Sequence, residues 1–284
     1  MIEAIRTNGP LSRAALARMT ALSIQTVSNI VEELVSSKLL KPEAAQKIAR
    51  GQPITPYSIN PDGAYSIGLE LGKDHAVGVL TDLSGRVRDR IERPVDRPTP
   101  EQAMPILADI VEALQTKVRF DRSRLLGVGI AMPGRYAAEG TTSLSPATLP
   151  GWQDFPVASE LARLIRVPVR VENDATAAAI GERLHGVARG LQSFVYLFLG
   201  RGIGAGMFLD GHLYRRSHQN AGEIGHIVVV PNGRPCPCGK RGCLDRYVSL
   251  GSAYEHLGIE VSRKQPAEEV EALCLPLRSH FSIS

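Results

Sequence analysis

The chain has 284 residues, 43% of them hydrophobic and 5% aromatic, which is enough to bury a large core across two domains. No apolar run is long enough to cross a bilayer, and Met-Ile-Glu-Ala-Ile-Arg lacks the plan of a signal peptide, so a cytoplasmic protein with no membrane partner is expected. Of the net charge of +4, three units fall in residues 1–60, so only this first segment has the balance of a polyanion binder.

After Asn8-Gly9-Pro10, Ser12 is placed to cap a short helix running through Met19, with Leu16 and Met19 facing inward. Thr20-Ala21-Leu22 makes a turn, and a second helix begins at Ser23. Its apolar stripe, Val27, Ile30, Val31 and Leu34, recurs at helical spacing. Two short helices joined by a brief turn follow the helix-turn-helix plan, in which the start of the second helix enters the major groove of DNA. Gln25, Thr26, Ser28 and Asn29 are therefore the candidate base and phosphate contacts. Residues 41–53 read as a wing and linker, where Arg50, beside glycine and proline, suits a narrow minor groove. The alternative for this segment is a small helical protein-docking domain with a solvated charged face.

From Tyr65 the period changes to alternation. Strands are expected at Tyr65–Leu71, Ala76–Thr81 and Val87–Arg93, the last two joined by the Asp82-Leu83-Ser84-Gly85 turn. A helix over about Glu101 to Phe120 follows, then a buried strand at Leu126–Ala131 leading to Pro133-Gly134. Asn173 and Asp174 stand at a strand end before a helix at Ala175–His185. A carboxylate that accepts from hydroxyls, beside an amide that both donates and accepts, at a strand end suits a cleft, although these two residues by themselves favour a helix cap.

Further on, Gly-Glu-Ile-Gly-His is followed by Cys-Pro-Cys-Gly-Lys-Arg-Gly-Cys. Cys236, Cys238 and Cys243, with His226 as fourth ligand, have the ligand types and spacing of a closed tetrahedral zinc site. With only Cys274 outside the cluster, metal in a reducing compartment is favoured over a disulfide framework. A reduced cysteine-rich turn without metal is the alternative.

The segments Gly129-Ile130-Ala131-Met132-Pro133-Gly134, Val171-Glu172-Asn173-Asp174-Ala175, Ala221-Gly222-Glu223-Ile224-Gly225-His226 and Cys236 to Leu244 together resemble the ROK family of repressors and sugar kinases. The likeness covers nearly the whole chain, and the leading helix-turn-helix is similar to the transcription-factor branch. The resemblance implies an α/β fold: a winged helix-turn-helix with its linker over residues 1–60, then a two-lobed actin-like domain over residues 61–284. It implies sugar binding by Asn173, Asp174, Glu223, His226 and Asp245, with Gly134 alongside. Asp174 stands as the vestigial counterpart of the kinase base, and structural zinc is implied on His226, Cys236, Cys238 and Cys243. His226 would ligate zinc through one ring nitrogen and face sugar with the other.

The chain departs from the family pattern at several places. Lys73 and Asp74 replace the second glycine and the threonine of the first phosphate loop, and Arg201 replaces a small residue in the second. Asp245 stands for a glutamate and Thr148 for an asparagine, while Trp152 offers either a stacking face or loop packing. The family's adenosine-contacting segment does not occur before Ser284, so the second lobe is expected to be truncated, and the first helix of the winged module is expected to start before Met1. These features together predict a sugar-responsive DNA-binding repressor without enzymatic activity. Its partners would be a double-stranded operator and a monosaccharide effector, and it would act as a dimer or tetramer of identical chains. The alternative is an ATP-dependent sugar kinase carrying a DNA-binding module.

Overall fold

The computed structural model describes residues 1–46, 53–136, 142–143, 149–200, 202–215 and 221–257. The chain forms two compact units, one of residues 1–196 and 205–222, the other of residues 197–204 and 223 onward.

The first unit opens with α1 (Ile2–Asn8), followed by β1 (Leu11–Ser12), α2 (Arg13–Thr20) and α3 (Ile24–Ser36). Ser12 and Ser23 cap α2 and α3, their side chains accepting from Ala15 N at 3.2 Å and Thr26 N at 3.1 Å. Ala21 carries the turn between them in the left-handed region, at φ 56°. β2 (Leu40–Pro42) and β1 flank β3 (Pro56–Ile59), both antiparallel to it. Ile5, Leu16, Val27, Val31, Leu40 and Tyr57 form one buried cluster, and Leu34 packs against it. Met19, expected inside, is 51% exposed; the core beside Leu16 is filled by Ile5 of α1 and Tyr57 of β3.

Next come β4 (Tyr65–Leu71), β5 (His75–Asp82), β6 (Val87–Pro94), α4 (Pro100–Lys117) and β7 (Leu125–Met132). A short ribbon of β8 (Arg135–Tyr136) and β9 (Thr142–Ser143) follows, then α5 (Val157–Ile165), β10 (Val169–Asn173) and α6 (Asp174–Leu184). The sheet order is β10-β7-β4-β5-β6, with β10, β7 and β4 parallel and β4, β5 and β6 a meander. α4 stops at Lys117, three residues before the expected end, and Phe120 instead packs on Tyr65 with ring centroids 4.4 Å apart. The sheet's core face is filled by Ile67, Leu69, Leu107, Ile110, Val128 and Ile130 with their neighbours. Trp152 lies wholly inside this core, its indole N–H donating to the Pro98 carbonyl at 2.8 Å, so it offers no stacking face to a ligand.

The last strands, β11 (Phe194–Leu199), β12 (Ile203–Leu209) and β13 (His212–Leu213), form a three-stranded sheet in that order. The second unit carries the cysteine segment, α7 (Asp245–Val248) and α8 (Leu250–Leu257). Among the described residues no helix is long and apolar enough to cross a membrane.

Candidate effector site and metal centre

In the first unit, β4, β7 and β10 run parallel in register, Glu70 beside Ala131 and Ala131 beside Glu172, so their carboxyl ends share one edge of the sheet. Open α/β sheets bind ligands at that edge. Asn173 ends β10 there and caps α6, its side-chain oxygen accepting from Thr176 N at 3.1 Å. Its amide nitrogen donates to the Gly134 carbonyl at 3.1 Å, just past the end of β7. Gly134 has φ 108°, a conformation that favours glycine, and it turns this carbonyl toward Asn173. Asp174 opens α6, half-buried, with Oδ1 accepting from Ala175 N at 2.8 Å. Both side chains are therefore engaged at the start of α6, and the carboxylate sits in its first turn, where the helix dipole favours its charge.

At the same edge, the loop after β4 is closed by its own residues. The His75 ring lies over Gly72, where an added Cβ would stand 2.6 Å from Cε1. Nδ1 of His75 is 2.8 Å from Asp74 Oδ1, and Nε2 is 3.3 Å from Glu70 Oε1. The hydrogen bond to Glu70, followed by that to Asp74, raises the His75 pKa to about 9, despite the opposing cost of desolvation. The same pairing holds Glu70 below its ordinary carboxylate range. An imidazolium between two carboxylates thus occupies the ground above the loop glycine. Sequence reading singled out Lys73 and Asp74 here and missed His75; the signal available was a histidine at the start of a strand, preceded by acids one and five positions earlier.

In the second unit, His226, Cys236, Cys238 and Cys243 bring one nitrogen and three sulfur atoms within 4.8 Å of one another. Zinc–sulfur bonds of about 2.3 Å and zinc–nitrogen bonds of about 2.0 Å at tetrahedral angles separate two sulfurs by about 3.8 Å and a sulfur and a nitrogen by about 3.5 Å. The Cys238–Cys243 sulfurs are 3.7 Å apart, and Cys236 Sγ is 3.6 Å from His226 Nδ1, so the donor set fits zinc. A disulfide would need about 2.05 Å. Burial pushes the Cys243 thiol up to about 12 and raises Cys236 as well, so their thiolates need a cation beside them. Gly239 and Gly242, at φ 89° and 79°, make the turns that fold the three cysteines together. A Cβ at Gly242 would stand only 1.7 Å from the Val230 carbonyl oxygen.

Nδ1 of His226 faces the thiols, while Nε2 points toward Glu223 Oε2 at 3.7 Å. Metal on Nδ1 would fix the ring and leave Nε2 with its hydrogen on the Glu223 side. Asp245, at the start of α7, is half-buried, and its Oδ1 accepts from Ile203 N at 2.9 Å, at the first residue of β12. Gly134, Asn173 and Asp174 therefore lie together in the first unit, and Glu223, His226 and Asp245 in the second.

Gln25, Thr26 and Asn29 are exposed on the first turns of α3, with Ser28 half-buried. Gln25 Nε2 donates to Asn29 Oδ1 at 3.0 Å, which sets both amides in one row along the helix. Thr26 Oγ1 shares a hydrogen bond with the capping Ser23 at 2.8 Å. Arg50, Thr148 and Arg201 lie outside the described residues.

The ROK family model matches residues 66–272. The chain is 32% identical over 249 residues to the xylose repressor of Bacillus subtilis (strain 168), covering 88% of this chain and 64% of that protein. It thus spans less than two thirds of that relative's length. Among solved structures, a ROK family transcriptional regulator, homolog of E. coli MLC protein, superposes with a TM-score of 0.75 at 27% identity, covering 93% of this chain and 67% of the other. A ROK family glucokinase from Streptomyces griseus, in complex with glucose and AMPPNP, does so with a TM-score of 0.61 at 28% identity, covering 68% and 59%.

Proposed function

Because the chain belongs to the ROK family, we propose that it is a sugar-responsive DNA-binding transcriptional regulator, a repressor of carbohydrate uptake or catabolism genes. Residues 1–60 serve in this reading as a winged helix-turn-helix and linker, and residues 61–284 as the effector domain. α3 enters the major groove with Gln25, Thr26, Ser28 and Asn29, while Arg50 reaches the minor groove. Asn173, Asp174, Gly134, Glu223, His226 and Asp245 hold a monosaccharide. Zinc on His226, Cys236, Cys238 and Cys243 is structural, fixing the ring that stands beside Glu223. Two or four copies of the chain present paired α3 helices to a two-fold operator.

One observation supports regulation over catalysis most strongly: the carboxyl edge of the sheet carries Asn173 and Asp174, while the neighbouring loop is covered by the Glu70–His75–Asp74 cluster. Phosphoryl transfer needs small residues that admit phosphates against backbone amides, together with a metal held by carboxylates. Here an imidazole covers the glycine and the carboxylates are turned onto it. The sugar thus binds without being phosphorylated.

A mobility-shift assay on DNA upstream of the chain's own gene, with and without D-xylose and D-glucose, tests this reading. Retarded DNA that is released by sugar is expected, and DNA never retarded under any condition contradicts it. The second reading, a sugar kinase with a DNA-binding module, is favoured by Asp174 and by the likeness to glucokinase. Phosphate transfer from ATP to a hexose that vanishes in Asp174→Asn would establish it.

A further inference from the structure

We propose that α6 is the rigid link between the effector edge and the DNA-binding segment, and that Arg189 and His185 make its contact with that segment and with the turn beside it. The inference rests on the regulatory reading above and identifies the route by which the same site is coupled to DNA.

The near end of α6 is the effector edge itself. Asn173 caps it and holds the Gly134 carbonyl, and Asp174 is its first residue. Its 11 residues span about 16 Å at about 1.5 Å per residue. Midway, Gly206 of β12 lies so close that a Cβ there would stand 2.3 Å from Ala179 Cβ and 2.8 Å from the Ala175 carbonyl oxygen. Such packing lets the helix move only as a body.

The far end is tied down as tightly. His185 N donates to the Gly181 carbonyl at 2.8 Å and Gly186 N to that of Glu182 at 3.0 Å. The Glu182 carboxylate then accepts from Val187 N at 2.8 Å, and Ala188 is buried. Arg189 therefore travels with the helix. Its Nη2 donates to the Arg6 carbonyl at 2.9 Å, across 183 positions of sequence. Arg6 lies in the last turn of α1, whose carbonyls lack helical partners, so the guanidinium fills a vacant acceptor with a charge-assisted bond. One residue earlier, Ile5 is buried in the cluster with Val27 and Val31 of α3. A displacement of the Arg6 carbonyl is thus carried through one packed core to the helix that bears Gln25 and Asn29.

His185 supplies the second contact. Its ring rests on Gly85, at φ 87°, where an added Cβ would stand 2.1 Å from Cε1. The turn beneath is stiff, because the buried Asp82 accepts from Ser84 N at 2.9 Å and Arg86 N at 3.2 Å. Leu83 N also donates to the Pro61 carbonyl at 3.1 Å, in the segment that leads from β3 into the sheet. Between these contacts lies a cavity of about 330 Å³ lined by Arg6, Arg86, His185 and Arg189, which leaves room for a second arrangement. Glu3, 3.2 Å from Arg6, offsets part of the positive charge of that group. Desolvation, then Arg6 and Arg189, hold the His185 pKa below its ordinary value. The contact combines one strong directional bond with crowded like charges, a combination poised to switch.

The test measures operator affinity by fluorescence anisotropy, with and without D-xylose and D-glucose, for the wild type, Arg189→Ala, Arg189→Lys and His185→Ala. Arg163→Ala, an exposed arginine on α5, controls for the loss of one positive charge. Arg189 is exposed, so its substitution leaves the fold intact, which the melting curve verifies. The expected result is sugar affinity equal to wild type in calorimetry, with the sugar-dependent ratio of operator affinities reduced about fivefold or more in Arg189→Ala. Arg189→Lys regains part of the ratio, His185→Ala loses part of it, and Arg163→Ala keeps it. A wild-type ratio in Arg189→Ala overturns the link while leaving the regulatory reading intact. A wild type that binds both sugar and DNA with no change in ratio overturns the regulatory reading, and the link with it.

Discussion

His75 shows how one side chain decides what a loop can do. Its ring covers Gly72 and is held by Glu70 and Asp74, so the contact has an electrostatic signature. The folded pKa of about 9 lies above the ordinary histidine value, so the pair's stabilisation is complete below about pH 6.5 and is lost as pH rises through about 9. The His75 side chain is 36% exposed, so solvent screening holds the contribution to about 1 kcal/mol. Urea midpoints of wild type and His75→Gln are expected to differ at pH 7 and to converge by about pH 10. A constant difference would show that the ring acts by packing alone. Among the cysteines, Cys236→Ser is expected to lower bound zinc and weaken the sugar response by freeing His226 beside Glu223, with sugar-free DNA affinity little changed. Zinc content by atomic emission and paired anisotropy titrations check this. Equal loss of both functions would mean that the metal supports the whole fold.

At the scale of elements, the proposed function gives α3 two separable tasks. Val27 and Val31 face the core, while Gln25 and Asn29 face solvent, one stripe on each side of the same helix. Val31→Ala is expected to cost about 2 kcal/mol through lost burial and the cavity left behind, seen as a lower melting temperature. Asn29→Ala is expected to leave the melt unchanged and to weaken operator binding by about 1–3 kcal/mol, the range of one good base contact. A stability loss without an affinity loss in Asn29→Ala would remove it from the proposed interface.

Much of this architecture is legible in the sequence because its signals are local. The serines at 12 and 23 precede helices they can cap, alternation marks β4 and β5, and the cysteine spacing marks the His/Cys cluster. What escapes is set by tertiary packing. Met19 has the right helical spacing to be buried, but Ile5 and Tyr57, from distant elements, fill that core. Trp152 sits in a proline-glycine loop that reads as a rim, yet Pro98, 54 positions away, supplies the acceptor that lets the indole go inside. The contact of Arg189 with Arg6 is likewise invisible to any local pattern, whereas the closing of the Gly72 loop by His75 leaves a short-range trace, a histidine just after Glu70 and Asp74.

For the whole molecule, the central claim is that sugar at the carboxyl edge of the sheet and DNA at α3 are linked through one chain. Linkage is reciprocal, so whatever factor sugar imposes on DNA binding, DNA must impose on sugar binding. The most direct measurement is therefore a calorimetric titration of the effector sugar into the free protein and into its complex with operator DNA. The account predicts weaker sugar binding in the complex, by the same factor, about fivefold or more, by which sugar weakens operator affinity. Identical sugar affinity in both titrations would contradict it.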